Sequence, residues 1–196
     1  MFYINEFLLK DFIYINKSII PEDLCENIIL YQNDFSWTKH EWYNKNTDTS
    51  TSHVNKELDV CFLQNEFSNL LFNYVTVSFE NYLQISKKFN LDNIFTNMIT
   101  SCSSPRLNRY TPNTLMEPHF DHIHSLFDGD RKGIPVLSLV GLLNNDYIGG
   151  EFIFFNNYEL NLQKGDTVVF PSCFLFPHRV NEIKEGTRYS FVSWGW

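Results

Sequence analysis

The sequence predicts a mainly β fold with flanking helices, because its hydrophobic pattern changes at about residue 96. Before this point, apolar residues recur at helical spacing; after it, short apolar runs alternate with turn residues. Aromatic residues make up 17% of the chain, including nineteen Phe and ten Tyr, and side chains of this size suit thick sheet cores. We therefore expect one domain over residues 1–196, with a helical support region at 1–95 and a sandwich or jelly-roll core at 96–196.

The N-terminal region carries one short strand candidate and two helix candidates. Residues 12–15 are a short apolar run. Ser18 and Pro21, followed by two acidic residues, predict a helix start with Ser18 as the capping hydroxyl and the proline near the first turn. Residues 65–87 show the longest helical pattern, with one broad apolar face. The intervening stretch 44–55 is rich in Thr, Ser and Asn and predicts a loop.

The C-terminal region is predicted to contain short strands separated by tight turns that carry Gly or Asn. The strand candidates are residues 105–111, 135–144, 150–156, 158–162, 166–171, 174–181 and 187–195. We find no internal repeat and no linker that would divide the chain into two domains.

Charge and cysteine content argue against several classes of function. The net charge of -8 disfavours a duplex nucleic-acid binder, although one local arginine suffices for a small acidic ligand. The four cysteines are scattered without a CxxC pair, which disfavours a structural zinc site and indicates thiols in a reducing compartment. We see no signal-peptide pattern and no apolar stretch of roughly 20 residues. We therefore expect a cytoplasmic protein that does not associate with membranes.

Two potential metal ligands occur close together, at His119 and Asp121. On a strand, residues two apart point to the same face, so an imidazole and a carboxylate can converge there. They would be two members of the two-histidine, one-carboxylate set that holds non-haem Fe(II). With six His and 23 acidic residues in the chain, a His-x-acid pair is close to an even chance. His122 and His124 have the opposite parity, and we expect polar or indirect roles for them.

A third ligand and a counter-charge lie on the last two strand candidates. By the simplest interpretation, His178 is a histidine buried in the core. Arg188, ten residues later in an apolar strand, favours a metal-ligand role for His178 instead. An arginine on an adjacent antiparallel strand would lie deeper than the metal, at a distance that suits a short dicarboxylate bound to both. Ser190 shares the face of Arg188 and can donate a further hydrogen bond. An unpaired arginine in such a strand would otherwise be costly.

These residues belong to an ordered series of motifs between Arg106 and Trp194. The chain resembles the Fe(II)/2-oxoglutarate-dependent dioxygenase superfamily, and within it the prolyl 4-hydroxylase-like branch. Each motif is weak alone, and the specificity lies in their order over nearly half the chain. In the family's order they are Arg109-Tyr110, His119-Phe120-Asp121, Leu143-Asn144, Gly149-Gly150-Glu151-Phe152, Lys164-Gly165-Asp166-Thr167-Val168-Val169-Phe170-Pro171, His178-Arg179-Val180 and Gly186-Thr187-Arg188-Tyr189.

The resemblance implies a double-stranded β-helix, which is a jelly-roll relative, with the N-terminal helices packed outside. It implies that His119, Asp121 and His178 hold Fe(II) and that Arg188 anchors 2-oxoglutarate. With O2, and with ascorbate as a candidate reductant, such an enzyme hydroxylates an unactivated C–H bond and releases succinate and CO2. Peptidyl proline or another amino-acid residue is the substrate class that this branch implies.

The resemblance also assigns two further residues and shows two departures. Tyr110 is expected near the 2-oxoglutarate, and Ser138 is a candidate hydroxyl donor to it. Met116 stands where this branch often has tyrosine, so no hydrogen bond is expected from that position. Asn113 stands where a glycine is usual, and asparagine also tolerates a tight turn.

Two other functions stay open at this point. A nucleic-acid demethylase of the alkylation-repair type would have a second arginine six residues after Arg188, where this chain has Trp194. A non-catalytic, cupin-like binding jelly roll would have lost a metal ligand or the arginine, and none is lost. We expect substrate choice, for a small molecule or a peptide, to be encoded in a loop at 122–135 and in the polar loop 44–55.

Overall fold

The computed structural model of the chain describes residues 8–44, 49–51, 56–85, 98–121 and 134–196. His122 and His124, with most of the predicted loop around them, lie outside the described residues. Much of the predicted polar loop 44–55 lies outside them as well.

Two α-helices and fifteen strands are present in the described ranges. Helix α1 is Glu22–Leu30 and helix α2 is Glu66–Leu83, with two short 3-10 turns at Leu9–Phe12 and Gln32–Asp34. The strands are β1 Tyr14–Asn16, β2 Thr38–Lys39, β3 Trp42–Asn44, β4 Thr49–Thr51, β5 Asp59–Phe62, β6 Arg106–Tyr110, β7 Met116–His119, β8 Leu137–Leu142, β9 Tyr147–Gly149, β10 Phe152–Phe154, β11 Tyr158–Leu160, β12 Thr167–Pro171, β13 His178–Val180, β14 Ile183–Gly186 and β15 Arg188–Gly195.

Two antiparallel sheets form the core. The larger sheet has the strand order β1-β12-β8-β15-β6-β5-β2, and the smaller sheet has the order β11-β10-β13-β7. Buried side chains of the two sheets share one hydrophobic cluster, which includes Val140 and Phe170 from the larger sheet and Phe154 and Val180 from the smaller. Two sheets packed face to face, with helices to the side, confirm the predicted jelly-roll core with flanking helices.

The helices cover the outer face of the larger sheet. Buried residues of both helices, such as Ile28 and Val75, pack in one cluster with Leu107, Leu139 and Phe191 of the sheet. Gly141 is required in this layer because a Cβ there would overlap the Phe191 ring on the neighbouring strand. The helical layer therefore supports the sheet from behind and leaves its other face directed at the smaller sheet.

The N-terminal region is more than a helical support, since β1, β2 and β5 join the larger sheet. β1 pairs with β12 along one edge, and β5 pairs with β6 toward the other edge. The run at residues 12–15 was predicted as a strand, and β1 covers its second half. β5 was not predicted, because four residues beginning with Asp are too short for a clear alternating pattern.

The start of α1 differs from the prediction. Ser18 does not cap the helix: Pro21 occupies the N-cap position, and no side chain caps it. Ser18 instead has a φ of 48° in the preceding turn, where its backbone N–H donates to Asp166 Oδ1 at 2.8 Å. A hydroxyl that lies three residues before the cap position is too far from the free N–H groups of the helix to cap them. The longer helix was better predicted, and Asn65 caps it by accepting from the Phe67 N–H.

All seven C-terminal strand candidates contain a strand, but three strands were missing from the prediction. β9 and β14 pair with each other, and they were obscured because Gly149 and Gly186, both with positive φ, were interpreted as breaks. β7 was assumed for the ligand argument but not predicted as an element. Asn113 has a φ of 69°, which confirms that it makes the tight turn before this strand.

The ladder between β7 and β13 contains a β-bulge. His119 is opposite His178, whereas Met116, three residues earlier, is opposite Val180. The extra residue on β7 lies at exposed Glu117 and Pro118. Both His119 and Met116 consequently point to the interior, although residues three apart normally point to opposite faces of a strand.

None of the helices within the described ranges is long and apolar enough to cross a membrane.

Candidate active site

The three predicted metal ligands meet at one end of the space between the sheets. The β7–β13 register places the imidazoles of His119 and His178 side by side, with ring centroids 4.4 Å apart. Asp121 lies two residues beyond the end of β7, and its Oδ1 is 3.5 Å from His119 Nε2 and 3.8 Å from His178 Nε2. One ligand atom from each residue lies within 4.8 Å of the others, so a single ion can touch all three.

Backbone carbonyls orient both imidazoles in the same way. His119 Nδ1 lies 2.8 Å from the carbonyl oxygen of Glu117, and His178 Nδ1 lies 3.1 Å from that of Phe176. A carbonyl only accepts, so each Nδ1 carries the proton and each Nε2 carries the lone pair that a metal requires. The carbonyl comes from the residue two positions earlier in both cases.

Aromatic packing immobilises His178. Its ring contacts Phe154 and Phe170 at centroid distances of 5.4 and 4.9 Å, and it is 5% exposed. This burial lowers the pKa of His178 to about 4. The imidazole is therefore neutral at pH 7, as a metal ligand must be.

Asp121 keeps its charge in the same environment. Burial alone raises the pKa of this carboxyl, but His178, His119 and a hydrogen bond from Ser138 outweigh burial and hold the pKa well below its usual range. Two neutral imidazoles and one carboxylate are the ligand set that suits non-haem Fe(II) and leaves coordination positions open. The residues present thus fit an iron ion.

Arg188 reaches the same cavity from the opposite wall. We expected it on a strand adjacent to that of His178, and this was wrong: β15 lies in the larger sheet, between β8 and β6. The segment that contains β14 carries the chain across from the smaller sheet, so Arg188 faces the ligand cluster instead of lying beside it. The cavity between the walls is lined by all three ligands and by Arg188.

The guanidinium of Arg188 is buried without a counter-ion in the described part of the chain. It is 1% exposed, donates from Nη1 to Ser190 Oγ at 2.9 Å, and stands 5.2 Å from the centroid of the Tyr110 ring. Its Nε–H has no hydrogen-bond partner among the residues that the structure describes. A buried charge without a partner is unfavourable, so this arrangement is that of a site for an anion.

Tyr110 and Ser190, predicted as cofactor-binding residues, both lie beside Arg188. Tyr110 is 2% exposed and opposite Arg188 in the β6–β15 ladder. Burial raises the pKa of Tyr110, so its phenol stays protonated and can donate. Ser138 lies further along the same face, with its hydroxyl 2.8 Å from Ser172 Oγ, and it contributes to the lowered pKa of Asp121. It therefore lies beside the ligand cluster.

The cavity contains further polar groups that our sequence interpretation missed as site residues. Four buried polar atoms have no hydrogen-bond partner within the described ranges, and all four belong to residues that line this cavity: Arg106 Nε, Asn108 Oδ1, Arg188 Nε and Trp194 Nε1. An unsatisfied buried polar group costs about 1–3 kcal/mol. Their shared location shows that the cavity suits a polar ligand.

Strand alternation was the signal that could have found these residues. Arg106 and Asn108 share the parity of Tyr110 on β6, and Trp194 shares that of Arg188 on β15. Met116, brought inward by the bulge, is buried and forms part of the apolar wall.

The comparisons with known proteins agree with this geometry. The family model described as the 2OG-Fe(II) oxygenase superfamily matches residues 105–196. No curated protein sequence matches the chain.

Similar solved structures include a prolyl-4-hydroxylase from Pseudomonas putida, at 17% identity and a TM-score of 0.63, covering 94% of this chain and 91% of that one. A prolyl hydroxylase from Trichoplax adhaerens, in complex with a hypoxia inducible factor peptide fragment, has 13% identity and a TM-score of 0.69 over 95% of this chain and 84% of that one. A viral collagen prolyl hydroxylase from Paramecium Bursaria Chlorella virus-1 has 12% identity and a TM-score of 0.58, covering 93% and 94%.

At these identities the structural likeness shows a shared fold, and the family model covers slightly less than half of the chain. The fold is that of the prolyl hydroxylases, and the matched segment contains every predicted site residue. Residues 105–196 match the 2OG-Fe(II) oxygenase superfamily, and this match together with the prolyl 4-hydroxylase-like fold supports a 2-oxoglutarate-dependent dioxygenase.

Proposed function

We propose that this enzyme hydroxylates an unactivated C–H bond of an amino-acid-type substrate, free or in a peptide, and converts 2-oxoglutarate and O2 to succinate and CO2. His119, Asp121 and His178 are the proposed Fe(II) ligands. Arg188, with Ser190 and Tyr110, is the proposed anchor for 2-oxoglutarate. One observation carries this proposal: a His-Asp-His cluster lines the same cavity as a buried arginine that has no acidic partner among the described residues.

The placement of Arg188 and the ligand cluster on facing sheets supports the division of roles. Arg188 lies on one sheet and the ligand cluster on the other, so a short dicarboxylate can span the gap between them. The planar guanidinium can hold a carboxylate through two parallel hydrogen bonds. Ser190, which accepts from Arg188 Nη1, fixes the plane of this fork, and the Tyr110 phenol can donate to the same anion.

When bound, iron and 2-oxoglutarate supply the oxidising chemistry, and the protein supplies position and exclusion of water. His119 and His178 present Nε2 because their Nδ1 protons are held by backbone carbonyls. Ser138 is proposed to orient the Asp121 carboxylate through its hydroxyl. Met116 and the phenylalanines around His178 keep the cavity dry.

Three features support the narrower parts of the proposal. Asp121 is present, which favours hydroxylation, since related halogenases lose this carboxylate to make room for halide. The fold is shared with enzymes that act on proline in peptides, so peptidyl proline is one proposed substrate class. The net charge of -8 and Trp194 in place of a second arginine favour an amino-acid substrate over a nucleic acid. We propose a cytoplasmic location, with ascorbate as reductant.

Anaerobic mixing with Fe(II) and 2-oxoglutarate tests the proposal. The wild-type protein is expected to show a visible charge-transfer band and, after oxygen is admitted, to form succinate. His119→Ala and Asp121→Ala should lose both signals because two ligands hold the metal too weakly. Asp34→Ala, which removes an exposed carboxylate far from the cluster in sequence, is the matched control and should keep both. Succinate formation at the wild-type rate in His119→Ala would contradict the assignment of His119 as a metal ligand.

A further inference from the structure

The cavity holds a second arginine that the proposed chemistry does not use. Arg106 begins β6 and lines the cavity with Arg188 and the ligand cluster. Its guanidinium carbon lies 5.2 Å from the centroid of the Trp194 ring. Within the described residues it makes no hydrogen bond or ion pair, and its buried Nε–H is unsatisfied. Stacking on an aromatic face holds a guanidinium in place but leaves its N–H groups to be satisfied by something else.

Arg109 provides an internal comparison on the same strand. It also stacks on a tryptophan, with its guanidinium carbon 4.5 Å from the centroid of the Trp37 ring. Arg109 points to the helix-covered face, where Nε and Nη2 donate to Asp59 Oδ2 at 3.1 and 3.0 Å and Nη1 donates to Gln32. The charge and these N–H donors of Arg109 are therefore satisfied within the protein. Arg106 has the same stacking arrangement, but no carboxylate of the described residues forms an ion pair with it.

Arg106 lines the cavity at a position separate from that of Arg188. In the β6–β15 ladder Arg188 is opposite Tyr110, whereas Arg106 is opposite Val192, four residues further along. Four residues of strand span about 13 Å. Arg106 and the three proposed metal ligands line the same cavity. Burial lowers the pKa of Arg106, whereas Tyr110 and Asp121 raise it. The two arginines therefore occupy two separate regions of the cavity.

Trp194 adds a second donor to this corner. Its Nε1–H is also buried without a partner among the described residues, and Trp194 is opposite Ser138, which contributes to the lowered pKa of the proposed metal ligand Asp121. The corner thus offers a cation and two unsatisfied N–H donors, Arg106 Nε and Trp194 Nε1. Groups of this kind require an acceptor, and a carboxylate satisfies both the charge and the donors.

We propose that Arg106, held by Trp194, binds a carboxylate of the prime substrate and so selects substrates in which a carboxylate lies close to the hydroxylated carbon. This inference rests on the proposed function, since it assigns the substrate class of the same site. The carboxylate can be that of a free amino acid or an acidic side chain in a peptide. Arg106 is a specificity-determining residue under this proposal, and Arg188 remains the anchor for 2-oxoglutarate.

The test compares matched carboxylate and amide probes on protein saturated with Fe(II) and 2-oxoglutarate under anaerobic conditions. The pairs are L-proline with L-prolinamide, acetate with acetamide, and the blocked dipeptides Ac-Pro-Glu-NH2 with Ac-Pro-Gln-NH2. Binding is measured by the increase in melting temperature at graded probe concentrations, and the charge-transfer band is recorded in parallel. The proteins are the wild type, Arg106→Gln, Arg106→Lys, Arg188→Gln and the control Arg109→Gln.

At least one carboxylate is expected to bind the wild type at least tenfold more tightly than its amide partner. This ratio should fall to about one in Arg106→Gln, be partly kept in Arg106→Lys and be unchanged in Arg109→Gln. The probe pair for which the wild type shows this preference indicates whether the substrate carboxylate belongs to a free acid or to an acidic side chain in a peptide. The 2-oxoglutarate concentration that gives half of the charge-transfer band should rise in Arg188→Gln but stay within twofold in Arg106→Gln.

Several results would overturn the inference. They are a wild type that distinguishes no pair, a carboxylate preference that survives in Arg106→Gln, and an Arg106→Gln variant that needs as much additional 2-oxoglutarate as Arg188→Gln. The last result would mean that Arg106 holds the co-substrate. Absence of the charge-transfer band in the wild type would instead contradict the proposed function, and the melting-temperature comparison can still be made in that case.

Discussion

The two faces of the larger sheet are built from the same strands but differ in how their polar groups are satisfied. On the helix-covered face, the buried hydroxyl of Thr167 meets Ser78 Oγ at 2.8 Å and accepts from Asn16, and Arg109 meets Asp59. On the cavity face, Arg106 and Arg188 have no carboxylate within the described ranges, and four buried polar atoms have no partner. The difference separates the part of the sheet that stabilises the protein from the part that binds ligand.

This contrast has an energetic meaning. On the helix-covered face, no buried side-chain polar atom of the described residues lacks a hydrogen-bond partner, so changes there should reduce stability and leave ligand affinity unchanged. The cavity face keeps groups that destabilise the empty protein and become favourable only when a ligand supplies partners. Changes there should therefore alter binding more than stability. Three measurements test this division.

The largest effect is expected from Phe191→Ala on the helix-covered face. The Phe191 ring is fully buried against Gly141, and its removal leaves a cavity, which lowers the free energy of unfolding by about 3–5 kcal/mol. Urea denaturation measures this change. Phe62→Ala, which removes a ring that is 64% exposed, should change the value by less than about 0.5 kcal/mol. The folded Phe191→Ala protein should bind 2-oxoglutarate with the affinity of the wild type. A weaker affinity would contradict the assignment of ligand binding to the cavity face alone.

The next effect is a dependence of stability on pH in the metal-free protein. Burial lowers the pKa of His178 to about 4, whereas an unfolded histidine titrates near 6.5. Between about pH 4 and pH 6.5, the unfolded chain therefore binds more protons than the folded protein. The contribution of His178 to the free energy of unfolding is thus fully kept above about pH 6.5 and is lost as the pH falls toward 4. The loss is on the order of 3 kcal/mol at most.

Urea denaturation at pH 7.5 and pH 4.5 checks this expectation in the wild type and in His178→Asn. Burial also lowers the pKa of His40, but that contribution is common to both proteins and cancels in the difference. The variant should lose less stability than the wild type between the two pH values. Equal losses would show that His178 is not the group responsible.

The smallest change in the free energy of unfolding is expected from Arg188→Gln, which should act on ligand binding alone. Removing a buried cation that lacks an acidic partner should leave the free energy of unfolding unchanged or slightly higher. Affinity for 2-oxoglutarate should fall about 100-fold, which corresponds to about 2.8 kcal/mol. Anaerobic titration of the charge-transfer band measures this affinity. An Arg188→Gln protein that is markedly less stable yet binds normally would reverse the assignment of the two faces.

Much of the fold and site could be predicted from the sequence, because the relevant patterns are local. The C-terminal strands appear as short apolar runs between turn residues, and Asn113 and the turn glycines mark their ends. His119 and Asp121 are close in the chain, and His178 and Arg188 keep a characteristic spacing. The predicted jelly roll with outer helices was therefore confirmed.

The remaining features depend on pairing between distant strands, which a local pattern does not encode. Arg188 was expected beside His178, but β15 pairs with β6 and β8 and places it across the cavity. The same pairing brings Arg106 to Trp194, and neither residue has a local signal that separates it from an ordinary strand position. Ser18 was misinterpreted because its backbone satisfies Asp166, more than 140 residues away in the chain.

The bulge in β7 accommodates one residue more than a regular strand needs between Met116 and His119. The surplus lies at Glu117 and Pro118, and Pro118 has no N–H to complete a regular ladder. Deleting this one residue would leave the two side chains two positions apart on a regular strand, so both would still face the interior. A one-residue gap at this point in an alignment of related chains is therefore compatible with an intact set of metal ligands.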